Sequence, residues 1–309
     1  MYPFHAQDRI IVNESGGEAR DMSTQSRAPT HDHSDTGGLK IVARSCPLCD
    51  APSTDAALLP YGNRDWPMRQ CACSFVYLED APDYTELATN LSWEKTSKSE
   101  DARRMAERPV SQTLSKRTRW RMRLLKRRDM TALIAAASPA GDVLDVGCAS
   151  GGHMMKLPAA IHPYGIEISE ALGGIAAASF SKRGGTAYIG PALQVMQGLP
   201  DGKFGAISMR SYLEHEAQPF KVLQQAFRIL KPGGVVFVKV PNFGSVNRAL
   251  RGGAWCGFRL PDHLNYFTPQ TLALMAGRAG FSFAQPFSWH LPTSDNMWAA
   301  LTRPSDMAA

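Results

Sequence analysis

The sequence predicts an α/β chain, with a parallel sheet covered on both faces by helices, preceded by a small metal-binding module and a helical linker. Three observations carry this. From about residue 141 short apolar runs alternate with stretches of helical periodicity, the signature of a parallel sheet sandwiched between helices. The stretch DVLDVGCASGG, residues 142 to 152, takes an apolar strand directly into a glycine turn. Two close cysteine pairs, CPLC at 46–49 and CAC at 71–73, stand ahead of that domain.

A chain of 309 residues with 44% hydrophobic residues buries a full core and has room for about two domains. Its longest apolar runs, such as Val235 to Val238, fall far short of the roughly 20 residues that cross a bilayer. The N-terminus carries Asp8, Glu14 and Glu18 rather than a basic-then-apolar leader, so the expectation is a soluble, cytoplasmic protein. The net charge of +6 is uneven: eight of the thirteen residues from Lys116 to Arg128 are basic. That run reads either as a solvated helix face with Trp120, Leu124 and Leu125 turned inward or as contact with a phosphate-bearing partner.

Taken in order, residues 1–40 form a polar tail without apolar periodicity, expected to be disordered, in which His31 and His33 read as solvated. Residues 41–82 hold the cysteines. Cys46, Cys49, Cys71 and Cys73 are two pairs separated by 21 residues, an arrangement that brings four thiolates to the corners of a tetrahedron and points to structural Zn2+ with no open coordination position. Two disulfides are the alternative, disfavoured in a reducing compartment. The second pair has one intervening residue where zinc ribbons usually have two. Residues 83–138 read as a helical linker carrying the basic run.

The domain at 139–309 then supplies strands at Val143–Val146, Tyr164–Ile168, Ala187–Ile189, Ala206–Met209 and Val235–Val240. A helix spans Pro219 to Leu230 and is stopped by KPGG, and the segments FSFAQPFSW and NMWAALTRP close the chain as a hairpin.

In such a sheet, ligands bind beyond the carboxyl ends of the strands. Gly147, Ala149 and Gly152 fit a degraded dinucleotide fingerprint, but Asp145, two residues before the first glycine, would repel a pyrophosphate. The same carboxylate suits S-adenosyl-L-methionine, which offers an ammonium and a sulfonium and no phosphate. Glu167, 22 residues after Asp145, falls at the end of the second strand, where it can accept hydrogen bonds from both ribose hydroxyls.

VLDVGCASG, YGIEIS and YLEHEAQPFKVLQQAFRILKPGGVVFVKVPN together resemble the successive motifs of class I S-adenosylmethionine-dependent methyltransferases, and CPLC with the later CAC and VYL is similar to the zinc-binding module that precedes some of them. The resemblance covers residues 45 to 302 and is most specific from Leu213 to Asn242. It implies a Rossmann-like, seven-stranded sheet whose last strand is antiparallel, with the cofactor over Gly147, Ala149 and Gly151. The chain departs from the pattern at Ala149, which replaces the usual middle glycine, at Gly205, which stands where aspartate is common, and at IGPALQ, which leaves the adenine contact to backbone or Gln194.

Methyl transfer asks the protein to align a nucleophile and, for a hydroxyl or carbon acid, to remove a proton. His215 in LEHE and His263 in LPDHLNYF are the candidate bases, with Glu214 orienting its neighbour or a cofactor hydroxyl. DHLNYF resembles a loop of sugar C-methyltransferases with Asp262 in place of glutamate, which makes His263 and Tyr266 active-site residues. Cys148 and Cys256 read as buried small residues.

The expected activity is methyl transfer to a small-molecule or saccharide acceptor, a sugar, nucleotide-sugar, polysaccharide end or quinone-like ring, with Phe243 to Tyr266 as a mobile cover and the zinc module as a second wall. An rRNA methyltransferase, with nucleic acid as partner, is the alternative raised by the ribbon and the basic run; a non-catalytic adaptor is the second.

Overall fold

Val143, Leu144 and Val146 are all buried in one strand, as a strand covered on both faces requires. That strand is β6 (Gly141–Val146), the centre of a seven-stranded sheet in the computed structural model. The structure describes residues 39–84, 86, 129–285 and 294–305. The expectations for His31, His33, the basic run 116–128 and most of the tail and linker lie outside them.

From β6 the sheet runs through β7 (Ile161–Glu167) to β8 (Thr186–Ile189) on one side, and through β9 (Phe204–Arg210) and β10 (Leu230–Pro241) on the other. These five are parallel. Beyond β10, β13 (Asn296–Thr302) is antiparallel and β12 (Ser282–Ala284) pairs antiparallel with it. The seven strands and the reversed last strand are as expected. Strand order turns around between β6 and β9, so the end of β6 opens on the crevice where such sheets bind ligands.

Helices α1 (Met130–Ala137), α2 (Glu170–Phe180), α3 (Ala192–Gln197) and α4 (Pro219–Ile229) cover the sheet. Pro219 occupies the first turn of α4, where its missing N–H costs nothing, and Val222, Leu223, Ala226 and Ile229 form its buried stripe. KPGG does not merely stop the helix. It lies inside β10, in a register break between Leu230 and Val235. Gly205 has a packing reason: a Cβ there would stand 2.3 Å from Ser138 Oγ, so an aspartate would not fit.

The cysteine module is built from a two-stranded sheet, β1 (Ile41–Ala43) with β5 (Asp80–Pro82), and a four-stranded one ordered β11-β4-β3-β2. Strands β2 (Ala57–Leu59), β3 (Met68–Gln70) and β4 (Val76–Leu78) are its own. The fourth, β11 (Asn265–Tyr266), comes from the C-terminal domain and pairs Asn265 with Tyr77 and Tyr266 with Val76. A module closed at residue 82 is therefore incomplete.

The stretch expected to be a mobile cover is anchored by the same contact. Phe243, Trp255, Leu264 and Tyr266 share a buried cluster with Trp66, Met68 and Leu78, and Tyr61 stacks on Phe258 at 5.0 Å. Within that stretch, α5 (Val246–Arg251) leaves Leu250 81% exposed; α6 (Pro269–Arg278) follows and returns the chain to the sheet.

Candidate functional site

The turn after β6 is left-handed at Gly147, Ala149 and Gly151, with φ of 74°, 47° and 76°. At Ala149 this conformation costs roughly 1 kcal/mol against glycine, and Glu167 Oε2 holds it by accepting the Ala149 N–H at 2.8 Å. At Gly151 no side chain fits, because a Cβ would lie 2.6 Å from the Phe180 ring; one on Gly147 would lie 3.1 Å from Tyr212, a tight contact. Tyr212 thus covers the turn.

A cleft of about 410 Å³ lies here, with Asp145, Gly147, Ala149, Ser150, Lys156 and Arg210 among its lining residues. Burial pushes the Asp145 carboxyl up to about 7, with Glu167 adding to the rise while Ser208 and Arg210 oppose it. A cationic ligand would recover the charged form, which is the fit expected of an ammonium-bearing cofactor. Glu167 sits at the end of β7, and its Oε1 accepts the Ser169 N–H at 3.0 Å. Each of its oxygens thus holds one backbone donor and keeps capacity for a second. Gln194 lies on α3 in a shallower cleft of about 530 Å³ with Tyr188 and Ile189.

The two histidine loops are tied together by backbone and by one asparagine. Leu264 N and Asn265 N both donate to Glu214 O, at 2.7 and 3.1 Å, and Asn265 Nδ2 donates to Leu213 O and Glu216 O at 2.8 and 2.6 Å. Arg44, from the cysteine module, closes the junction: its guanidinium donates to Leu78 O, Leu264 O, Ala217 O and Asn265 Oδ1. The Glu216 carboxylate accepts the hydroxyls of both Tyr84 and Tyr212, which ties Tyr212 to the start of the linker.

His215 Nδ1 faces Asp262 O at 2.8 Å and Asp262 Oδ1 at 3.2 Å. With only acceptors around it, Nδ1 carries the proton and Nε2 keeps its lone pair. Burial acts to lower the His215 pKa, but Asp262, by hydrogen bond and charge, and Glu214 raise it above the ordinary histidine value. His263 is likewise fixed, with Nδ1 on Gly257 O at 2.8 Å, yet burial and then the neighbouring His215 pull it down to about 3. Burial raises Glu214, whose Oε2 has no hydrogen-bond partner among the described residues. Glu214, His215 and His263 each offer a ligand atom within 4.8 Å of the others, a spacing a cation also accepts. Tyr266 is 2% exposed in the aromatic cluster beside Phe243 and Phe258.

All four cysteine sulfurs converge, each within 4.8 Å of the others. Cys46 Sγ lies 3.6 Å from Cys73 Sγ and Cys49 Sγ 3.4 Å from Cys71 Sγ, too far for disulfides and close to the ~3.8 Å sulfur spacing of a zinc tetrathiolate. The short CAC pair succeeds because its turn closes at once: Ser74 N donates to Cys71 O at 2.8 Å with Ser74 left-handed at φ 69°. Asp50, φ 65°, plays the same part after CPLC. Cys148 is buried, but Cys256 is exposed, because it follows the buried Trp255 into a surface turn rather than the core.

Sequence reasoning did not single out Arg44, Asn265 or the Asp262–His215 pair, whose partners lie 34 or more residues apart.

A family model described as a methyltransferase domain matches residues 117–285, more than half of the chain. Among curated proteins, the chain is similar to the ubiquinone biosynthesis O-methyltransferase of Aromatoleum aromaticum, 27% identical over 46% of this chain and 64% of that protein. It is similar also to that of Paraburkholderia xenovorans, 28% identical over 43% of this chain and 61% of that one. The chain spans less than two thirds of these relatives. Among solved structures, a SAM-dependent methyltransferase from Archaeoglobus fulgidus overlays with a TM-score of 0.44 at 14% identity, over 62% of this chain and 93% of that one.

Proposed function

From the premise that this chain belongs to the methyltransferase-domain family, we propose that it transfers a methyl group from S-adenosyl-L-methionine to a hydroxyl of a small organic acceptor, with His215 as the base. When bound, the cofactor supplies an electrophilic methyl on a sulfonium. Asp145 would face its cationic methionine end, Glu167 its ribose, and the backbone at Gly147, Ala149 and Gly151 would carry it beneath Tyr212. His215 Nε2 would take the proton of the acceptor hydroxyl, and Asp262 would steady the resulting imidazolium.

The observation that carries this reading is that His215, paired with Asp262, stands in the same short loop as Tyr212, which covers the glycine turn. His263, held neutral, is a brace and a wall, and Tyr266 a wall only. Glu214, buried beside both rings, favours the protonated His215. The curated relatives' names, which speak of O-methylation in ubiquinone biosynthesis, support a small acceptor carrying a hydroxyl. Cys46, Cys49, Cys71 and Cys73 hold a structural Zn2+ that fixes the module against β11.

The test is transfer of radiolabelled methyl from S-adenosylmethionine into a cell extract split into small-molecule, polysaccharide and RNA pools. Label confined to the small-molecule pool is the expected result. Label in RNA would overturn it in favour of a nucleic-acid substrate track along the basic run 116–128, and no transfer into any pool would favour an adaptor.

A further inference from the structure

Methyl transfer as proposed above makes no use of Glu216, yet this acid is buried, 2% exposed. Burying a carboxylate is unfavourable unless donors replace its water, and Glu216 has three. Its Oε1 accepts the Tyr84 hydroxyl and, at 2.8 Å, the Gln218 N–H, and its Oε2 accepts the Tyr212 hydroxyl. Burial and the neighbouring Glu216 charge raise both phenols well above the ordinary tyrosine value. Each therefore stays a donor to a charged acceptor, the stronger kind of hydrogen bond.

The two tyrosines serve different parts of the molecule. Tyr212 lies on the glycine turn, its Cδ2 3.1 Å from where a Gly147 side chain would begin, and its carbonyl accepts the His215 N–H at 2.9 Å. Roof and base thus share one turn. Tyr84 belongs to the cysteine module: it follows β5, which ends at Pro82 opposite Ile41 of β1, and β1 runs on through Arg44 to Cys46. Arg44 grips the same loop at Ala217 O, 3.1 Å away, and the Glu216 charge offsets part of what burial takes from its guanidinium pKa. A metal on the four sulfurs would hold Cys46 and with it the β1–β5 pair, and a cofactor on the turn would hold Tyr212. Glu216 stands between them with one oxygen toward each.

We propose that Glu216 and Tyr84 are positioning residues that link the two sites, so that Zn2+ on the cysteines and cofactor beneath Tyr212 each tighten the binding of the other. The link rests on the cofactor and zinc readings above and adds what neither contains, a dependence of one site on the other. Such a coupling is reciprocal: the factor by which cofactor raises metal affinity equals the factor by which metal raises cofactor affinity.

The test measures Zn2+ affinity of the full chain by competition with a chromogenic chelator, with and without saturating S-adenosylhomocysteine. Calorimetry then gives S-adenosylhomocysteine affinity for the zinc-loaded and the zinc-stripped chain. In the wild-type protein each ligand is expected to raise the affinity for the other about fivefold or more. Tyr84→Phe keeps the ring and leaves Glu216 its contacts with Tyr212 and Gln218, so this variant is expected to fold. Its factor should fall about threefold or more, toward one, which is within the worth of one hydrogen bond to a charged group. Tyr61→Phe takes a hydroxyl from the same module at its 3.4 Å contact with Arg248 and should leave the factor as in wild type. A factor of one in the wild type, or an undiminished factor in Tyr84→Phe, overturns the link and leaves both readings standing. Equal losses in Tyr84→Phe and Tyr61→Phe overturn it too, because they assign the effect to a general loosening of the module. Failure of the wild-type chain to bind S-adenosylhomocysteine overturns the cofactor reading, freshly purified protein without zinc overturns the metal reading, and the link falls with either.

Discussion

The rings of His215 and His263 meet edge to face, centroids 4.8 Å apart at 84°, and yet they titrate in opposite directions. His215 has Asp262 at its Nδ1 and is raised; His263 has only a backbone carbonyl there and is lowered to about 3. Two similar side chains in contact are thereby given different work.

Their separation is measurable in turnover. His215→Ala is expected to lower kcat about a hundred- to ten-thousandfold, the usual worth of a positioned base, with S-adenosylhomocysteine affinity unchanged. His263→Ala removes the partner of Gly257 O in a buried site and is expected to cost about 1 to 3 kcal/mol of stability, read by denaturant unfolding, with a smaller loss in kcat. Equal losses in kcat would put both residues in the same role.

The pH dependence follows from Asp262. The base must be neutral, so kcat falls as pH drops through the raised His215 value. Asp262→Asn removes the carboxylate that raises it, and the acidic limb of the pH–rate profile should move to lower pH while its plateau falls. An unmoved limb would show that the limb reports another group.

Asp145 makes a separate prediction for binding. Its carboxyl titrates at about 7 because burial, with Glu167 nearby, disfavours the charge against Ser208 and Arg210. A cationic cofactor needs the ionised form, so affinity should rise as pH increases through about 7 and level off above it. In Asp145→Asn affinity should be lower and flat over the same range, as calorimetry at several pH values would show.

Gly205 carries a packing prediction. Gly205→Ala places a methyl 2.3 Å from Ser138 Oγ and is expected to destabilise by about 1 to 3 kcal/mol. Ser138→Gly in the same chain should recover most of it. A double variant no more stable than Gly205→Ala would place the strain in the backbone instead.

Much of this molecule was legible in its residues. Val143, Leu144 and Val146 announce a strand buried on both faces, the glycines after them announce the turn, and four cysteines in two pairs announce the tetrahedron. The strand ends and the helix from Pro219 fall within a few residues of expectation, because apolar periodicity and proline act locally. What was hidden is what depends on distant partners. Two residues, Asn265 and Tyr266, are too short a run to read as a strand until Tyr77 and Val76 are beside them. Arg44 reads as an ordinary basic residue two positions before a cysteine, and only the folded chain gives it four acceptors. KPGG reads as a helix stop from its own chemistry; the register break it makes in β10 belongs to the neighbouring strand.

The pairing of β4 with β11 bears on how such a protein can be re-engineered or trimmed. A chain cut to begin after residue 86 would not be a smaller methyltransferase: it would present Leu264, Tyr266, Phe243 and Trp255 to water with a two-residue strand lacking any neighbour, an invitation to self-association. By the same logic, transplanting a loop from a relative to change acceptor preference succeeds only if the ribbon strand that backs it travels too, so the two segments form one exchangeable unit although more than 180 residues of chain separate them.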